Sequence, residues 1–468
     1  MKGKLLNVLL IVAMSVGILS SALPFGKAQT GTNVSYIISS DTTWTQANSP
    51  YNFIGNVLVN QGVTLTIGSD ATIDLNNYYL RVNGTLVIQP GATINIGLIG
   101  DGIDVYGTMS TEGTSANPVH INGSVQGHII IAFYSAVTFF PSSISWNSQT
   151  KSGSIIENTV FNDTGLEVQS GIRISDSTFL SGGLTVESAS PTIVNNEVAT
   201  SFSIIQNPNG APLNALQPEI SNNAIGGGLY VDAGSGVIAD NVISGLTVDD
   251  EYSVPVSTLI VRNLITNAAT GISCSIQSSY NNQATIENNT VTSNSVGVQI
   301  GTTNVPAIIN NNIYGNSYNA KLSGVSSQVN LPNNWWGTTD VEAINQTMYD
   351  FKYDFSLGII NFLPILEAPN PQATPNPTAP INTLSPSHSS QPTSSQSSSR
   401  SPSPKSSPTF ASTATPRLSP EETEHQQPTE NVPTELLVIV VGVAAIIIVA
   451  VAVVAFTLGK RAGRKSNI

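Results

Sequence analysis

Short runs of alternating apolar and polar residues fill the middle of the chain, and an asparagine recurs between them at one position. Each copy begins with an aliphatic residue and has the asparagine three positions later. The copies are IIENTV, ISDSTF, IVNNEV, ISNNAI, IADNVI, IVRNLI, IENNTV, IINNNI and LPNNWW, spaced 18 to 27 residues apart. With Ser177 in the second copy, they place eight asparagines in one column: Asn158, Asn196, Asn223, Asn241, Asn263, Asn289, Asn311 and Asn334.

Two periods are superimposed in this region. Within a run the period is two, which is typical of strands. Between runs the period is about 22 residues, which is typical of a solenoid whose stacked coils bury a core that no single coil can bury. Runs such as NVLVNQGVTLTI and YYLRVNGTLVI extend the alternation into the N-terminal third. We therefore predict an all-β fold, a single-stranded parallel β-helix over residues 36–366, with three short strands in each coil.

The asparagine column has a physical reason in such a fold. Asparagine is depleted within strands, so we expect these residues at a bend between strands. Equivalent residues of stacked parallel strands lie about 4.8 Å apart, and an amide both donates and accepts hydrogen bonds. The column can therefore form a ladder from coil to coil that satisfies the backbone at the turn, as amide ladders do in cross-β stacks. Asparagine also tolerates the left-handed backbone that a tight bend requires.

These features carry a resemblance. Residues 36–366 resemble the right-handed parallel β-helix of the pectate-lyase-like superfold. The asparagine column and the closing NNWWG, Asn333 to Gly337, resemble repeat proteins of archaeal and bacterial surfaces. The resemblance implies the right-handed sense of the helix. It implies little about function, because the superfold hosts polysaccharide lyases, glycoside hydrolases, tail spikes, adhesins and structural surface proteins.

The two ends of the chain read as targeting and anchoring segments. Residues 1–28 have the charged start, the apolar run and the small-residue site of a signal peptide. Residues 436–458 are apolar and without charge, long enough for one transmembrane helix, and the basic tail at 459–468 predicts a cytoplasmic C-terminus. Between them, residues 368–433 form a Pro/Ser/Thr-rich segment that we predict to be a disordered stalk. The predicted localisation is the cell membrane, with a single span and the large domain outside.

Charge and cysteine content narrow the function. The formal net charge is −13, and phosphate binding needs clustered Lys and Arg, so we expect no nucleic acid partner. Cys274 is the only cysteine, which excludes an intramolecular disulfide. The stability of an exported domain must then come from a large core or a bound ion.

One group of carboxylates is a candidate metal site. Alignment of the second strands places Glu187, Asp232 and Asp249 in one column, and Asp250 and Glu251 follow directly. Stacked carboxylates repel unless a cation screens them, and Ca²⁺ favours such oxygen ligands. One alternative is that these carboxylates form a solvated acidic edge. Another is that two close carboxylates act as the catalytic pair of a glycosidase.

The sequence also contains six Asn-x-Ser/Thr sequons, which are possible glycosylation sites. They are Asn33, Asn83, Asn122, Asn162, Asn288 and Asn345.

Two functions of different classes remain. The first is a membrane-anchored β-helix that acts as a binding or structural module, facing glycans or envelope components, without catalysis. The second is a polysaccharide lyase or glycoside hydrolase, which could be calcium-dependent or calcium-independent. A cluster of carboxylates with a base in one groove would favour the enzyme; the sequence shows the carboxylates without the base.

Overall fold

The structure is a computed structural model that describes residues 31–97, 102–123, 137–205, 217–232, 235–249, 257–275, 284–373 and 375. Over these residues the chain winds as a parallel β-solenoid. Successive strands join sheets A, B and C in turn, so that every third strand returns to the same sheet. The predicted parallel β-helix is confirmed at this level.

The strands within the described residues are short, and every pair within the three sheets is parallel. Sheet A contains β1 Thr32–Val34, β4 Tyr51–Phe53, β7 Thr72–Asp74, β10 Thr93–Asn95, β13 Val119–Asn122, β16 Thr159–Asn162, β19 Thr178–Phe179, β22 Glu197–Val198, β25 Ala224–Ile225, β28 Val242–Ile243, β31 Leu264–Thr266, β34 Thr290–Thr292 and β37 Asn312–Ile313. Sheet B contains β2 Ile37–Ile38, β5 Val57–Val59, β8 Leu80–Val82, β11 Ile103–Val105, β14 Val137–Phe139, β17 Leu166–Val168, β20 Gly183–Glu187, β23 Ser201–Ile205, β26 Leu229–Asp232, β29 Leu246–Asp249, β32 Thr270–Cys274, β35 Val296–Ile300, β38 Tyr318–Leu322 and β40 Met348–Tyr349. Sheet C contains β3 Thr42–Trp44, β6 Thr64–Ile67, β9 Thr85–Ile88, β12 Thr108–Thr111, β15 Ile155–Glu157, β18 Arg173–Ser175, β21 Thr192–Val194, β24 Glu219–Ser221, β27 Ser235–Ala239, β30 Ser257–Val261, β33 Thr285–Glu287 and β36 Ala307–Ile309. A separate parallel pair consists of β39 Val329–Asn330 and β41 Ile360–Asn361.

The core follows from the strand period and from the register. Alternate side chains of a strand point to opposite faces, and neighbouring coils pair so that like residues meet. Ile193, for example, lies beside Ile174 on one side and Ile220 on the other, and all three are buried. The aromatic rings of Phe161 and Phe179 stack in the interior with centroids 4.6 Å apart. Burying a residue of this size is worth about 1.5–3 kcal/mol, so each coil stabilises the next.

The predicted asparagine ladder lies at the turn from sheet C to sheet A. From Asn196 to Asn311, the backbone N–H and the Nδ2 of each ladder residue both donate to the Oδ1 of the next, at 2.9–3.1 Å. Nδ2 also faces two carbonyl oxygens of the turn, and the series ends at Asn334. All seven asparagines are at most 2% exposed. The ladder therefore satisfies backbone groups that no water can reach.

The left-handed backbone falls on a different residue from the one expected. The ladder asparagines have ordinary φ angles, and the residue just before each one, like the residue before Ser177, has a positive φ: Asp176, Asn195, Asn222, Asp240, Arg262, Asn288, Asn310 and Asn333. The two tasks at the turn are thus divided between neighbours. This explains why Asn-Asn pairs recur, because either task suits asparagine.

The assignment of Asn158 to the ladder is wrong by one residue. Ile156 is the inward residue that pairs with Ile174, so the ladder position in this coil is Thr159. The Thr159 N–H donates to Ser177 Oγ at 3.1 Å, while Asn158 has the left-handed φ of 45°. Ile155 and Ile156 both fit the aliphatic start of the repeat, and only the inward position of Ile156 decides between them.

A second, shorter ladder at the turn from sheet A to sheet B was missed. Asn294 donates from its backbone N–H and its Nδ2 to Asn316 Oδ1, at 2.9 and 3.1 Å, and Asn316 Nδ2 donates to Asn319 Oδ1 at 3.1 Å. Asn294 and Asn316 are 22 residues apart, the spacing of the first ladder, which is the signal that could have revealed it.

Both ends of the described solenoid carry aromatic residues. At the start, the ring of Trp44 stacks on Tyr51 with centroids 4.8 Å apart. At the other end, Trp336 is 2% exposed and meets Phe362 edge-to-face. Helix α1, Val341–Gln346, interrupts the last coil, and the carboxylate of Asp340 accepts hydrogen bonds from its first turn. After α1 the chain adds β40 to sheet B.

The folded part of the chain extends beyond both predicted limits. The first strand begins at Thr32 rather than at residue 36. Residues 366–373 turn back along sheet A. The Asn370 N–H donates to Asn312 Oδ1 at 2.8 Å, and Asn312 Nδ2 donates to the Asn370 carbonyl oxygen at 2.9 Å. Asn370 Nδ2 also donates to Asn288 Oδ1 at 2.8 Å. Ala373 is fully buried. The first residues of the predicted stalk, 368–373, therefore belong to the solenoid.

The predicted signal peptide at 1–28, the rest of the stalk, the transmembrane segment at 436–458 and the tail at 459–468 lie outside the described residues. No helix within the described ranges is long and apolar enough to cross a membrane.

Candidate functional site: the outward face of sheet B

The outward face of sheet B carries aromatic, hydroxyl and charged side chains along its length. Its outward positions stack in register along the solenoid axis. One column runs through Arg81, Asp104, Thr138, Glu167, Thr185, Ser203, Tyr230, Thr247, Ser273, Gln299, Lys321 and Tyr349. From β8 to β40 this column spans eleven steps of about 4.8 Å, or about 53 Å. The face is therefore long enough for an extended ligand.

An aromatic cluster with one arginine lies near the beginning of this face. The rings of Tyr106 and Phe140, equivalent positions of adjacent coils, stack with centroids 4.3 Å apart. The guanidinium of Arg81 lies over Tyr79 at 5.3 Å and over Tyr106 at 5.2 Å. Arg81 also donates to Asp104 Oδ2 at 3.2 Å, and this hydrogen bond raises the pKa of Arg81 above its ordinary value. The cluster presents flat rings fixed by stacking and a charge already paired.

An open groove of about 260 Å³ occupies the middle of the face. Ser203, Tyr230, Thr247 and Ser273 line its floor. Glycines at the start of β26 and β29, including Gly228 with φ of 89°, leave the surface recessed where a side chain would otherwise stand. Hydroxyl groups and one phenol ring are polar handles that suit a polyhydroxylated ligand.

A cluster of tyrosines and lysines ends the face. The rings of Tyr349 and Tyr353 stack with centroids 5.3 Å apart, and Tyr318 meets both edge-to-face. Lys321 Nζ lies 4.9 Å from the centre of the Tyr349 ring, and Lys352 Nζ lies 5.5 Å from that of Tyr353. We call these five residues the tyrosine–lysine cluster. No pattern in the sequence indicates this cluster, because helix α1 separates its two halves along the chain.

The predicted carboxylate column is partly described. Asp232 and Asp249 are directly opposite each other in β26 and β29, and Glu187 is separated from them by Ile205, as the alignment implied. Asp232 is 1% exposed. Asp250 and Glu251 lie outside the described residues. Within the described part of the chain, no group of three or more Asp, Glu, His or Cys side chains is placed to hold a metal ion.

Calcium usually takes six to eight oxygen ligands, and the structure brings together two of the five predicted carboxylates as neighbours. The pair is therefore an incomplete calcium site in the described ranges, and calcium binding stays a prediction.

The six sequons differ in how far their amides are available. Asn33 and Asn83 are exposed, whereas Asn122, Asn162, Asn288 and Asn345 are half-buried. Asn122 Nδ2 donates to Asn95 Oδ1 at 3.1 Å, and Asn288 Oδ1 accepts from Asn370. Because glycosylation modifies Nδ2, Asn33 and Asn83 are the most accessible of the six candidates.

Comparison of the chain with protein-family models, with curated proteins and with solved structures gives no match.

Proposed function

We propose that the chain is a cell-surface protein whose β-helix, right-handed and of the pectate-lyase-like type, binds polysaccharide without transforming it. The apolar segments at 1–28 and 436–458 support export and a single membrane span with the C-terminus inside. The Pro/Ser/Thr-rich composition of the segment that ends at residue 433 supports a stalk that holds the solenoid away from the membrane. The ligand is a glycan of the envelope or of another cell.

One observation carries the binding proposal: the outward face of sheet B aligns two aromatic clusters with a hydroxyl-lined groove between them. Aromatic rings supply large apolar contact area at low cost in conformational entropy. Hydroxyl groups in the groove can exchange hydrogen bonds with sugar hydroxyls. Because the outward positions of sheet B stack at the coil spacing over the whole face, the face matches a polymer better than it matches a single small molecule.

The test is binding of the purified full-length protein, in detergent, to an array of neutral and acidic polysaccharides. Tyr106→Ala and Tyr230→Ala remove one ring from the first cluster and one from the groove. Tyr314→Ala, at an aromatic residue 39% exposed after β37 of sheet A, is the matched control. We expect the two sheet B variants to lose affinity and the control to keep it. Absence of binding to every polysaccharide would refute the proposal.

A second candidate, a polysaccharide lyase or glycoside hydrolase, is favoured by the register of Asp232 and Asp249. Retaining glycosidases use carboxyl groups about 5–5.5 Å apart, and opposite residues of neighbouring parallel strands lie at about that distance. The discriminating measurement is the formation of new reducing or unsaturated ends from the same polysaccharides, with and without Ca²⁺. Turnover that disappears in the double variant Asp232→Asn, Asp249→Asn would establish the enzyme and overturn the binding proposal.

A further inference from the structure

The tyrosine–lysine cluster brings together the two lysines of a part of the chain that is otherwise acidic or neutral. Between Arg262 and Ala373 the sequence contains two basic residues, Lys321 and Lys352, against six acidic ones. Both lysines lie over tyrosine rings of this one cluster, although 31 positions separate them. Their convergence results from the fold, because β38 and β40 are neighbours in sheet B.

The two lysines are held differently. Lys352 Nζ donates to Asp350 Oδ1 at 2.8 Å, and Asp350 is 4% exposed and also accepts from the Ile360 N–H at 3.1 Å. This pair fixes the loop that carries Tyr353. Lys321 has no ion pair with any residue that the structure describes. Its charge is therefore available to a ligand, between Gln299 of the preceding coil and Tyr349 of the next.

The rings beside Lys321 define what kind of anion fits. Tyr353 is 50% exposed, and its ring is nearly parallel to that of Tyr349, at 6°. Aromatic faces carry partial negative charge, so they attract the weakly positive C–H face of a sugar ring and disfavour a bare anion. A ligand that satisfies both the rings and the cation has an apolar ring face with an anionic substituent at its edge. A uronic acid residue in a polysaccharide has this combination.

We propose that the tyrosine–lysine cluster is a subsite for an acidic sugar, with Lys321 contacting its carboxylate and Tyr349 and Tyr353 contacting its ring. This inference rests on the proposed polysaccharide binding and adds the chemical class of the ligand. The subsite lies three coil steps, or about 14 Å, beyond the groove at β32. It therefore selects among polymers that already lie along the groove.

The experiment measures the affinity of the full-length protein in detergent for alginate, dextran sulfate and unmodified dextran, with EDTA present. Alginate carries carboxylates, dextran sulfate carries sulfates, and dextran carries no anionic group. Lys321→Gln is the central variant, and Arg173→Gln, which removes one positive charge from the outward face of sheet C, is its matched control. Tyr349→Ala and Tyr349→Phe test the ring.

We expect Lys321→Gln to weaken alginate binding about fivefold, as loss of one partly exposed charge contact does, and to leave dextran binding unchanged. Arg173→Gln should leave both unchanged. Tyr349→Ala should weaken alginate binding, whereas Tyr349→Phe should bind alginate as the unchanged protein does, because the ring face is kept. Circular dichroism of each variant verifies the fold.

Several results would overturn the inference. Equal alginate affinity in Lys321→Gln and the unchanged protein, or an equal loss in Arg173→Gln, would show that Lys321 makes no specific contact. Preference for dextran sulfate over alginate would reassign the subsite to sulfated sugars. Binding to anionic phospholipid vesicles that depends on Lys321, without alginate binding, would assign the cluster to a membrane surface. Dextran binding without any preference for alginate would remove the subsite and leave the proposed function standing.

Discussion

The asparagine ladder makes a quantitative prediction at Asn263, in the middle of the series. Its Oδ1 accepts from the backbone N–H and the Nδ2 of Asn241, and its Nδ2 donates to Asn289 Oδ1 at 3.0 Å. Nδ2 also faces the carbonyl oxygens of Ile238 and Val261, at 2.9 and 3.1 Å. Asn263→Ala removes all these contacts within a site that water does not reach.

The magnitude follows from the groups that are left behind. The Asn241 N–H loses its acceptor, and a buried donor without a partner costs about 1–3 kcal/mol. The two turn carbonyls each lose a hydrogen bond, worth about 0.5–1.5 kcal/mol apiece. We expect Asn263→Ala to lower the free energy of unfolding by about 3–5 kcal/mol. Asn83→Ala, at an exposed turn between β8 and β9, should change it by less than about 0.5 kcal/mol.

The assay is chemical denaturation together with hydrogen exchange followed by mass spectrometry. Stability in a solenoid is transmitted between neighbouring coils, so peptides that contain Asn241 and Asn289 should exchange faster in Asn263→Ala. Peptides from the first coils, such as β8 and β9, should be unchanged. A destabilisation no larger than that of Asn83→Ala, or faster exchange spread evenly over the molecule, would refute the ladder as a source of stability.

A charged substitution at the same site adds a dependence on pH. In Asn263→Asp the second carboxyl oxygen would face the carbonyls of Ile238 and Val261, which favours the protonated form and raises the pKa of the new carboxyl above its unfolded value of about 3.9. The unfolded state then releases its proton first as pH rises. The variant should therefore lie close to the unsubstituted protein below about pH 4 and lose stability progressively above it. Equal loss at pH 4 and pH 7 would contradict this reasoning.

Three further predictions test the core, the fold-back segment and a close backbone contact. Burial raises the pKa of the Cys274 thiol to about 12, so iodoacetamide at pH 8 should alkylate Cys274 only in the unfolded protein. Above pH 9.0, the ordinary pKa of the thiol, only the unfolded thiol ionises. The free energy of unfolding should therefore fall by about 1.4 kcal/mol per pH unit toward pH 12. Asn370→Ala should release the segment at 366–373 and speed its cleavage by proteinase K, whereas Gln372→Ala, at an exposed side chain, should not. Gly107→Ala places a methyl group against a backbone carbonyl of the preceding coil and should lower the free energy of unfolding, measured by chemical denaturation, by about 1–3 kcal/mol. The control is Gly183→Ala, whose new methyl would lie 3.5 Å from its nearest neighbour and should leave the free energy of unfolding nearly unchanged.

The sequence predicts the repeating part of this fold well because two independent periods agree there. The spacing of Asn241, Asn263 and Asn289 identifies the coil, and the alternation around them identifies which residues face inward. Near Asn158 the alternation does not single out the inward residue, because Ile155 and Ile156 are both aliphatic. The predicted ladder position in this coil is therefore one residue too early. Spacing alone finds the coil, and only the inward face fixes the residue.

The features outside the repeat could not be predicted from periodicity. Asn370 lies in a segment with the composition of a stalk, and its contacts with Asn288 and Asn312 depend on a reversal of the chain that no pattern announces. Lys321 and Lys352 lie on opposite sides of α1, so their convergence depends on β40 resuming sheet B after the helix. Composition identifies segments unable to form a core of their own, but such segments can still bind to a surface formed elsewhere in the chain.

The position of the main ladder also supports the choice of sheet B as the proposed binding face. Each coil runs through sheets A, B and C, and the main ladder closes the turn from C to A, the corner that does not touch sheet B. The shorter ladder, at Asn294, Asn316 and Asn319, lies at the turn from A to B. The amide ladder and the inward aliphatic residues lie away from the outward side chains that line the groove, such as Ser203 and Thr247. Substitutions on that face should therefore alter ligand affinity at constant stability, whereas substitutions at Asn263 should alter stability first. In the coils that form the groove, the residues of the main ladder and those proposed to determine recognition occupy different parts of the coil, so we expect each set to tolerate change in the other.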